Sequence, residues 1–345
     1  DGGTHNIWVA GDTLFLGDVG RPDLMASIGV TEDELARALF HSLSEKLWPL
    51  PDDTIVYPGH GAGSMCGKAL SDERFAKLGD QRVSNLAFAT AGSGDEEAFV
   101  SLVCAGQPDP PAYFAFDADL NRRKRATLEE SLARFEALPL ARFLTRADGG
   151  AQVVDTRAAA KFEPRHLAGS INVGLYGSFA TWAGTVLDHT RPIVVITEPG
   201  REREAALRLG RIGFDRVEGY LEDGAAALER APERLGAIAR IEPAALAERV
   251  ARADRPLVVD VRTPGEFAAA HIEGAVNVPL RRLSERQGEL PRDRPLVLHC
   301  KSGYRSAVAA SLLERARFTD LTDLVGGFDR WSSEVGGGRS PACSA

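Results

Sequence analysis

The feature that most constrains the fold is an internal repeat. VVDTR at residues 153–157 matches VVDVR at residues 258–262, and HLAGSINV at residues 166–173 matches HIEGAVNV at residues 271–278, in both cases 105 residues later. Each copy alternates short apolar stretches with segments of helical periodicity. Because strands that alternate with helices form parallel sheets, the repeat predicts two successive α/β domains whose parallel sheets are covered by helices on both faces.

One cysteine of the second copy stands in a distinctive loop. The segment PLVLHCKSGYRS, residues 295–306, reads as a short strand, a tight loop that carries Cys300, and the start of a helix. Backbone N–H groups at a helix start lack intrahelical partners and carry partial positive charge, which favours a thiolate there. A buried cysteine that merely ends a core strand is the alternative. The polar residues around Cys300 favour a nucleophile.

The rest of this loop is suited to holding an anionic sulfur. Its backbone N–H groups can form a cradle, Gly303 permits the turn, and the charges of Lys301 and Arg305 attract an anionic donor. We expect the side chain of Tyr304 to line the mouth of the site. The predicted substrate-binding residues are therefore Lys301, Ser302, Gly303, Tyr304, Arg305 and Ser306.

The first copy has a different residue at the position of Cys300. Thr197 stands there, in the segment ITEPGREREA, and threonine is a poor nucleophile without a base. Glu198 adds negative charge, and Pro199 removes one N–H donor from the corresponding cradle. We therefore expect the first copy to be inactive, with scaffolding, docking and dimerisation all open as its role.

The spacing of Cys300 and Arg305 distinguishes two families. Protein tyrosine phosphatases place five residues between such a cysteine and arginine, whereas four lie between them here. This shorter loop resembles the active-site loop of rhodaneses, the thiosulfate sulfurtransferases, and VGGFDRW at residues 325–331 agrees with that resemblance. The resemblance implies a rhodanese-like domain over residues 139–238, inactive through Thr197, and an active rhodanese domain over residues 239–345.

The N-terminal region carries a second resemblance. The segments GDTLFLGDVGRPDL, residues 11–24, and YPGHGAGS, residues 57–64, are similar to the C-terminal half of a metallo-β-lactamase-fold αββα domain. The similar branch contains glyoxalase II and the persulfide dioxygenases, and the GRPDL segment together with the rhodanese fusion favours the dioxygenases. We assign residues 1–138 to this partial domain and a linker.

The resemblance also implies a metal site. In that family two histidines and one aspartate hold a mononuclear Fe(II), and Asp12 matches the aspartate, while His60 and Arg21 match pocket positions. Both family histidines precede the aspartate, and the sequence contains no HxHxDH motif. We therefore expect Asp12 to be part of an incomplete site and no iron to be bound by this chain as given. Since the chain opens at Asp1 without methionine, we expect a further N-terminal portion.

Several residues that recur in both copies are interpreted as structural. Asp155 with Arg157, and Asp260 with Arg262, occur in the intact and in the degraded copy, which favours an ion pair at a strand end over catalysis. The same argument applies to the two histidines of the repeated motif, which we expect to form local hydrogen bonds.

Composition excludes several classes of partner. The 41 basic and 49 acidic residues give a net charge of −8 without long runs of one sign, so nucleic acid is not expected to bind. No window approaches the roughly 18 apolar residues of a membrane span, and no signal sequence is recognisable. The four cysteines have no paired spacing. We expect a cytoplasmic homo-oligomer that does not contact membranes.

The leading functional hypothesis is a sulfurtransferase. Cys300 would take sulfane sulfur from thiosulfate, glutathione persulfide or another low-molecular-weight persulfide and pass it to a thiol or sulfite-type acceptor. The resemblance places this activity in a persulfide dioxygenase–rhodanese fusion of sulfide detoxification, with dioxygenase activity expected only if the missing histidines are present. The alternatives are a glyoxalase II-like metallohydrolase with accessory rhodanese domains and a non-enzymatic persulfide carrier.

Overall fold

The chain forms two compact units, Asp1–Lys124 and Arg125–Ala345. No helix within the described part of the chain is long and apolar enough to cross a membrane. Cys343 is not among the residues that the structure describes. The computed structural model describes residues 6–24, 30–62, 66–67, 70–107, 127, 130 and 132–336.

The first unit contains a small mixed sheet. Ile7–Gly11 (β1) pairs in parallel with Ile55–Pro58 (β2), and Ala76–Lys77 (β3) adds to β2 in antiparallel orientation. One apolar core cluster packs the helices of this unit against the sheet and the loop after β1. The first helix continues into a π-helical segment, Ser42–Leu47. The α-helices are Glu32–His41 (α1), Leu78–Ser84 (α2), Leu86–Gly92 (α3) and Glu96–Cys104 (α4).

The second unit contains both repeats, and each builds a five-stranded sheet. In the first repeat the strand order is β4-β9-β8-β5-β7, and every pairing is parallel. Two further short strands, β6 and β10, pair in antiparallel orientation. The strands are Glu136–Leu138 (β4), Gln152–Asp155 (β5), His166–Leu167 (β6), Ile171–Asn172 (β7), Ile193–Ile196 (β8), Val217–Leu221 (β9) and Leu235–Gly236 (β10). The helices are Leu140–Asp148 (α5), Ala159–Phe162 (α6), Phe179–Val186 (α7) and Glu202–Gly210 (α8), with 3₁₀ segments Gly224–Arg230 and Pro232–Arg234.

The second repeat has the same topology. Its strand order is β11-β15-β14-β12-β13, again with every pairing parallel, so the predicted parallel sheets are confirmed. The strands are Ala239–Ile241 (β11), Leu257–Asp260 (β12), Val276–Asn277 (β13), Leu296–His299 (β14) and Leu321–Leu324 (β15). The helices are Pro243–Val250 (α9), Pro264–Ala269 (α10), Leu283–Arg286 (α11), Tyr304–Arg315 (α12) and Gly327–Glu334 (α13), with 3₁₀ segments Leu280–Arg282 and Gln287–Glu289.

The first repeat begins earlier than the predicted boundary between residues 138 and 139. Strand β4 pairs with β9, with Glu136 opposite Gly219 and Leu138 opposite Leu221, so it is the edge strand of the first repeat's sheet. A three-residue edge strand has too little alternation to be recognised in sequence. The assignment of residues 136–138 to the N-terminal region was therefore wrong.

The sheet of the second repeat is covered on both faces. Successive residues of β14 point in opposite directions, so Val297 joins one core cluster with Trp331, while Leu298 joins another with Val308. The cluster around Leu298 also includes Phe162 of the first repeat. One apolar core therefore extends from the second repeat into the first.

Helix α12, which follows the Cys300 loop, lies against the first repeat. At its start, the Tyr304 hydroxyl donates a hydrogen bond to the backbone oxygen of Gly174 at 2.6 Å. Two turns further on, the hydroxyl of Ser311 accepts the backbone N–H of Asn172 at 3.0 Å. Residues seven positions apart share one face of a helix. The first repeat therefore holds the helix that carries the loop.

The end of α12 adds an ionic contact between the repeats. Nε2 of His166, which is fully buried, lies 3.0 Å from the carboxylate of Glu314. The same carboxylate accepts the backbone N–H of Gly169 at 3.1 Å. Removal of Glu314 would leave a buried imidazole without its partner, which is costly. This contact fixes the far end of α12.

Candidate functional site

Cys300 lies at the carboxyl end of a central strand. Strand β14 runs between β12 and β15, and all four of its residues are buried. The chain then turns through residues 300–303 and enters α12 at Tyr304. Ligand sites of parallel sheets occur at this end of the strands, where loops meet helix N-termini. The fold therefore places the predicted nucleophile where a helix dipole can stabilise an anion.

The sulfur atom of Cys300 has two neighbours in the loop that can donate hydrogen bonds. The backbone N–H of Gly303 points at Sγ from 3.1 Å, and the hydroxyl of Ser306 lies 3.6 Å from it. Gly303 has a φ of +102°, a backbone conformation that residues with a side chain rarely adopt. The cysteine itself is only 1% exposed. The loop thus shields the sulfur while directing donors towards it.

Arg305 connects this loop to a neighbouring helix. Its Nη1 and Nη2 atoms donate to the two carboxylate oxygens of Glu266 at 2.8 and 2.7 Å, a bidentate pair. Hydrogen bonds from Arg305 lower the pKa of Glu266 to about 2. The guanidinium also interacts with Cys300. Arg305 therefore links Glu266 to the helix that follows the Cys300 loop.

A cavity of about 300 Å³ opens beside the loop. Ser302, Gly303 and Tyr304 form one wall, and residues of the first repeat, Ala159 and Tyr176 among them, form the other. Burial raises the pKa of Tyr304, so its phenol stays neutral and remains a donor to the first repeat. The cavity is large enough for thiosulfate or the end of a thiol acceptor.

Lys301 is exposed, as is Ser302, whereas Gly303, Tyr304 and Arg305 are half-buried and Ser306 is buried. An exposed ammonium attracts anions at a distance but adds little to their affinity in water. The backbone oxygens of Cys300 and Lys301 accept N–H groups of Phe328 and Asp329, at 2.7 and 3.0 Å. These bonds tie the loop to the start of α13.

Gly327, in the VGGFDRW motif after β15, packs directly against the Cys300 loop. Its φ is +62°, and a Cβ built on it would lie 2.6 Å from the backbone oxygen of Cys300. Any side chain would therefore push the catalytic loop away. From the sequence, the VGGFDRW motif supports the rhodanese resemblance but indicates no role for its glycines. Glu266 was also missed as a site residue, although Thr263 and Glu266 show the spacing of a capping box, which the structure contains.

In the corresponding loop of the first repeat, the Thr197 hydroxyl hydrogen-bonds within the loop itself. Thr197 is 3% exposed, and its hydroxyl donates to the backbone oxygen of Glu198 at 2.9 Å. The carboxylate of Glu198 pairs with Lys161 at 3.0 Å. Among the described residues, no side chain that could act as a base hydrogen-bonds to Thr197. The local bond thus occupies the Thr197 hydroxyl, and the inactivity of this position stays a prediction.

The repeated Asp–Arg pairs are structural, as predicted. Arg157 donates to Asp155 and Arg262 donates to Asp260, each with a shortest distance of 2.6 Å and both fully buried at the carboxylate. The two histidines of the repeat motif also behave alike. Nδ1 of each contacts the backbone oxygen of the phenylalanine four residues earlier, at 3.0 Å for His166 and 2.9 Å for His271. These predictions are confirmed.

His299, next to the nucleophile, has no sequence counterpart in the first repeat. It is fully buried, and burial lowers its pKa, so the imidazole is neutral. Its Nε2 lies 3.6 Å from a carboxylate oxygen of Asp260. The side chain stacks with Phe328, with 6.1 Å between ring centroids. We interpret His299 as a residue that packs the strand end rather than as a base.

In the first unit, three possible metal ligands lie together. One ligand atom each from Asp12, His60 and Cys66 falls within 4.8 Å of the others, and Asp12 Oδ1 lies 3.3 Å from His60 Nε2. Arg21 is buried and pairs with Asp23 at 2.6 Å. The described residues thus bring the predicted Asp12 and His60 together, while Arg21 forms an ion pair of its own.

This cluster does not match the iron site that the resemblance implied. That site needs two histidines and one aspartate, and the cluster offers one histidine, one aspartate and one thiol. His41, elsewhere in the described part of this unit, contacts Glu45 instead. The ligand set therefore does not fit mononuclear Fe(II), and no reaction step is assigned to iron.

Several curated proteins match a part of the chain. A relative from Bacillus subtilis, an uncharacterized protein, is 40% identical over 78 residues, which are 23% of this chain and 62% of that protein. A thiosulfate sulfurtransferase from Shewanella oneidensis is 39% identical over 74 residues, 21% of this chain and 73% of that protein. Further relatives also have sulfurtransferase in their names.

One solved structure aligns with more of the chain. It is described as a metallo-beta-lactamase from Staphylococcus aureus, and the alignment has 28% identity and a TM-score of 0.48. It covers 64% of this chain and 59% of that structure. The chain therefore spans less than two thirds of both this structure and the Bacillus relative.

The family model for the rhodanese-like domain matches the chain twice. The matched segments are residues 141–231 and residues 242–334, and together they cover just over half of the chain. Each matched segment contains four of the five strands of one parallel sheet, and the segments contain Thr197 and Cys300 at corresponding strand ends. On the strength of this double match, the chain belongs to the rhodanese-like domain family.

Proposed function

We propose that the protein is a sulfurtransferase that carries sulfane sulfur on Cys300. The observation that carries this proposal is the position of Sγ, with the Gly303 N–H directed at it from 3.1 Å at the start of α12. A thiolate and the terminal sulfur of a persulfide are both anionic, so both gain from these donors. The sulfurtransferase relatives support the same reaction class.

In the first half-reaction, the Cys300 thiolate attacks the outer sulfur of thiosulfate. The sulfur–sulfur bond of thiosulfate breaks, and sulfite leaves with the electron pair. The product is an anionic persulfide on Cys300. In the second half-reaction, an acceptor thiolate attacks the outer sulfur of this persulfide, and Cys300 leaves as a thiolate. No oxidant, reductant or metal is needed for this double displacement.

The loop residues have distinct tasks in this scheme. Lys301 at the surface attracts the anionic donor, and Arg305 stabilises charge at the sulfur while Glu266 orients its guanidinium. The Gly303 N–H holds the anionic sulfur, and Ser306 supplies a second donor. The acceptor would enter through the cavity between the repeats, beside Tyr304.

We propose further that this activity belongs to a persulfide dioxygenase–rhodanese fusion of sulfide detoxification, in which the dioxygenase activity would require two histidine ligands in addition to Asp12. The support is the GRPDL and YPGHGAGS segments and the metallo-β-lactamase-like character of the first unit that they imply. Glutathione persulfide would then be the donor or acceptor shared by the two activities. Linking both sites in one chain would raise their effective concentration for each other.

The experiment is conversion of thiosulfate and cyanide to thiocyanate by the full chain. We expect turnover by the wild type, none above background by Cys300→Ser, and unchanged turnover by Thr197→Ala, the matched variant at the corresponding position of the first repeat. Equal turnover by wild type and Cys300→Ser would overturn the proposal. Release of phosphate from an aryl phosphate by wild type would instead indicate a phosphatase.

A further inference from the structure

Two buried carboxyl groups meet at the boundary between the repeats, beside the Cys300 loop. Asp323 belongs to β15, next to the strand that carries Cys300, and Glu163 follows α6 of the first repeat. They are 2% and 0% exposed. Strand register places Tyr220 of the first repeat at the position of Asp323, and the motif alignment places Ala268 of the second repeat at the position of Glu163. This pair is therefore not a common feature of the fold.

Asp323 lies opposite Arg240 where β15 pairs with β11, and Arg240 contacts Glu163 at 2.8 Å. A hydrogen bond between the two carboxyl groups contributes to the pKa shift of each. Two carboxylates cannot form such a bond unless one of them carries a proton, because ionised carboxyl groups only accept. Glu163 Oε1 and Asp323 Oδ1 have no other hydrogen-bond donor among the described residues. One shared proton would satisfy both oxygens, whereas two negative charges at zero exposure would be costly.

Few positive charges are available to balance this pair. Nε of Arg240, on β11, lies 2.8 Å from Glu163 Oε2, and His166 faces Glu163 from the first repeat. His166 already contacts Glu314. On the other side, the pair faces Cys300 and the hydroxyl of Ser306. Burial raises the pKa of both carboxyl groups, and the proximity of each to the other adds to the effect on Asp323.

Ser306 connects the pair to the nucleophile. Its hydroxyl lies 3.6 Å from Sγ of Cys300. Burial raises the pKa of Asp323, and a hydrogen bond from Ser306 acts against that shift. A serine hydroxyl has one proton to donate. An ionised Asp323 competes for that proton and places negative charge behind the sulfur, whereas a neutral Asp323 does neither.

We propose that Glu163 and Asp323 share one proton across the repeat boundary, and that this proton favours the anionic sulfur of Cys300. Glu163 is then a positioning residue that the degraded repeat contributes to the active site. The inference deepens the proposed sulfurtransferase function, since it concerns the same cysteine. Asp323 and Arg240 line the cavity beside the loop, which gives the proton a route to solvent.

The proposal predicts a decline of activity at alkaline pH. When the shared proton leaves, two carboxylates lie behind the sulfur and disfavour its anionic form. Glu163→Gln leaves Asp323 to ionise alone behind the sulfur, so its activity should be lower already at neutral pH. In Asp323→Asn the group next to the sulfur can no longer ionise, so this decline should disappear. We expect the ratio of kcat/KM of Asp323→Asn to that of wild type to rise by about tenfold from pH 6 to pH 9, the effect of roughly one pKa unit. The ratio cancels the titration of the acceptor.

A measurement without turnover separates this proposal from the proposed function. The thiolate of Cys300 can be titrated by ultraviolet absorbance, with the spectrum of Cys300→Ser subtracted in each background. We expect the thiolate to form at lower pH in Asp323→Asn than in wild type and at higher pH in Glu163→Gln, where Asp323 has lost the group that shares its proton. The double variant should behave like Asp323→Asn, because both changes act on the same pair. If wild type lacks thiocyanate production but shows this titration, only the sulfurtransferase function fails.

Ser311→Ala is the matched control for loss of a contact between the repeats. It removes a neutral hydrogen bond to Asn172 from the same helix, so it should lower stability and leave both pH profiles as in wild type. The proposal is wrong if Glu163→Gln and Asp323→Asn, folded as judged by circular dichroism, titrate like wild type. It is equally wrong if Ser311→Ala reproduces the effect of either variant.

Discussion

The loops that follow the central strands of the two repeats share a frame but not a chemistry. Each comes after a fully buried four-residue strand, and each has a glycine of positive φ three residues on, Gly303 at +102° and Gly200 at +82°. At the first loop position, however, Thr197 is hydrogen-bonded locally, while Cys300 receives a directed N–H. A few side chains on a common scaffold therefore decide whether a rhodanese-like loop can hold sulfur.

The ion pairs beside the two loops have opposite polarity. The acidic partner lies on the neighbouring helix in the second repeat and in the loop itself in the first. Glu266 of the second repeat corresponds to Lys161 of the first in the motif alignment. Glu266 binds Arg305 of the loop helix, whereas Lys161 binds Glu198 of the loop itself. The second arrangement places a carboxylate where an anionic donor would approach. We therefore expect the loop of the first repeat to bind thiosulfate poorly even with a cysteine at position 197.

Among the three roles that were open for the first repeat, the structure favours scaffolding. Its residues contact α12 at the start, middle and end of the helix. It also supplies a wall of the cavity beside the loop. The degraded repeat thus keeps the contacts that position its neighbour, although its own loop has no nucleophile.

The largest difference between the repeats is expected when the glycine that packs against each loop is replaced by alanine. Gly327→Ala would place Cβ 2.6 Å from the Cys300 oxygen, and Gly224→Ala would place it 3.1 Å from the Thr197 oxygen, both at positive φ. We expect Gly327→Ala to lower the free energy of unfolding by about 2–5 kcal/mol and to abolish most turnover. Gly224→Ala should be less destabilising and keep its activity. Urea unfolding and thiocyanate assays test both, and equal activity losses would contradict the comparison.

A second test removes the ionic contact between the repeats. Glu314→Ala leaves His166 buried without its partner, so we expect a loss of about 2–3 kcal/mol in the free energy of unfolding. Glu289→Ala removes an exposed ion pair with Arg286 in the same repeat and should change stability by at most about 0.5 kcal/mol. Chemical denaturation distinguishes these outcomes, and similar values for both variants would show that the contact with His166 is unimportant.

The reversed ion pairs provide a third test, which depends on pH. Because hydrogen bonds from Arg305 lower the pKa of Glu266 to about 2, this pair stabilises the fold above the ordinary value of 4.5, and the contribution disappears as pH falls towards 2. We expect Glu266→Gln to cost about 1–2 kcal/mol at pH 7, reduced by the 31% exposure of Glu266, and less at pH 4. It should also lower kcat/KM. Lys161→Gln, at an exposed pair, should alter neither quantity by much, and a pH-independent cost for Glu266→Gln would argue against this account.

The smallest expected effect concerns the start of α12. Tyr304→Phe removes the hydrogen bond to Gly174 but keeps the ring in the cavity wall, so we expect a stability loss of about 1 kcal/mol and a few-fold decrease in kcat/KM. Tyr176→Phe, on the opposite wall, is the matched control and should leave stability unchanged. Thermal unfolding with activity assays measures both.

The features found from sequence are those with a local signature. The repeat, the parallel sheets and the structural Asp–Arg pairs follow from motifs and apolar periodicity, which act over a few residues. The Cys300 loop was located by its spacing to Arg305. The edge strand β4 was missed because three residues carry too little pattern. Its place depends on pairing with β9, in which Leu138 lies opposite Leu221, 83 residues later in the chain.

The residues missed from sequence are those whose role arises from the packing of the two repeats. Glu163 lies one residue after the motif phenylalanine Phe162, yet its partner Asp323 is far away in the chain. Nothing in either local segment indicates that two carboxyl groups will be buried together. Likewise, the contact of Tyr304 with Gly174 exists only once the repeats have docked.

The central claim, that Cys300 alone holds sulfur, is tested most directly by mass spectrometry of the full chain after incubation with thiosulfate and removal of excess donor. We predict an added mass of one sulfur atom, located on the peptide that contains Cys300 and lost on treatment with a thiol. The peptide that contains Thr197 should be unchanged. Added sulfur on Cys66, Cys104 or Cys343 with none on Cys300 would contradict the account.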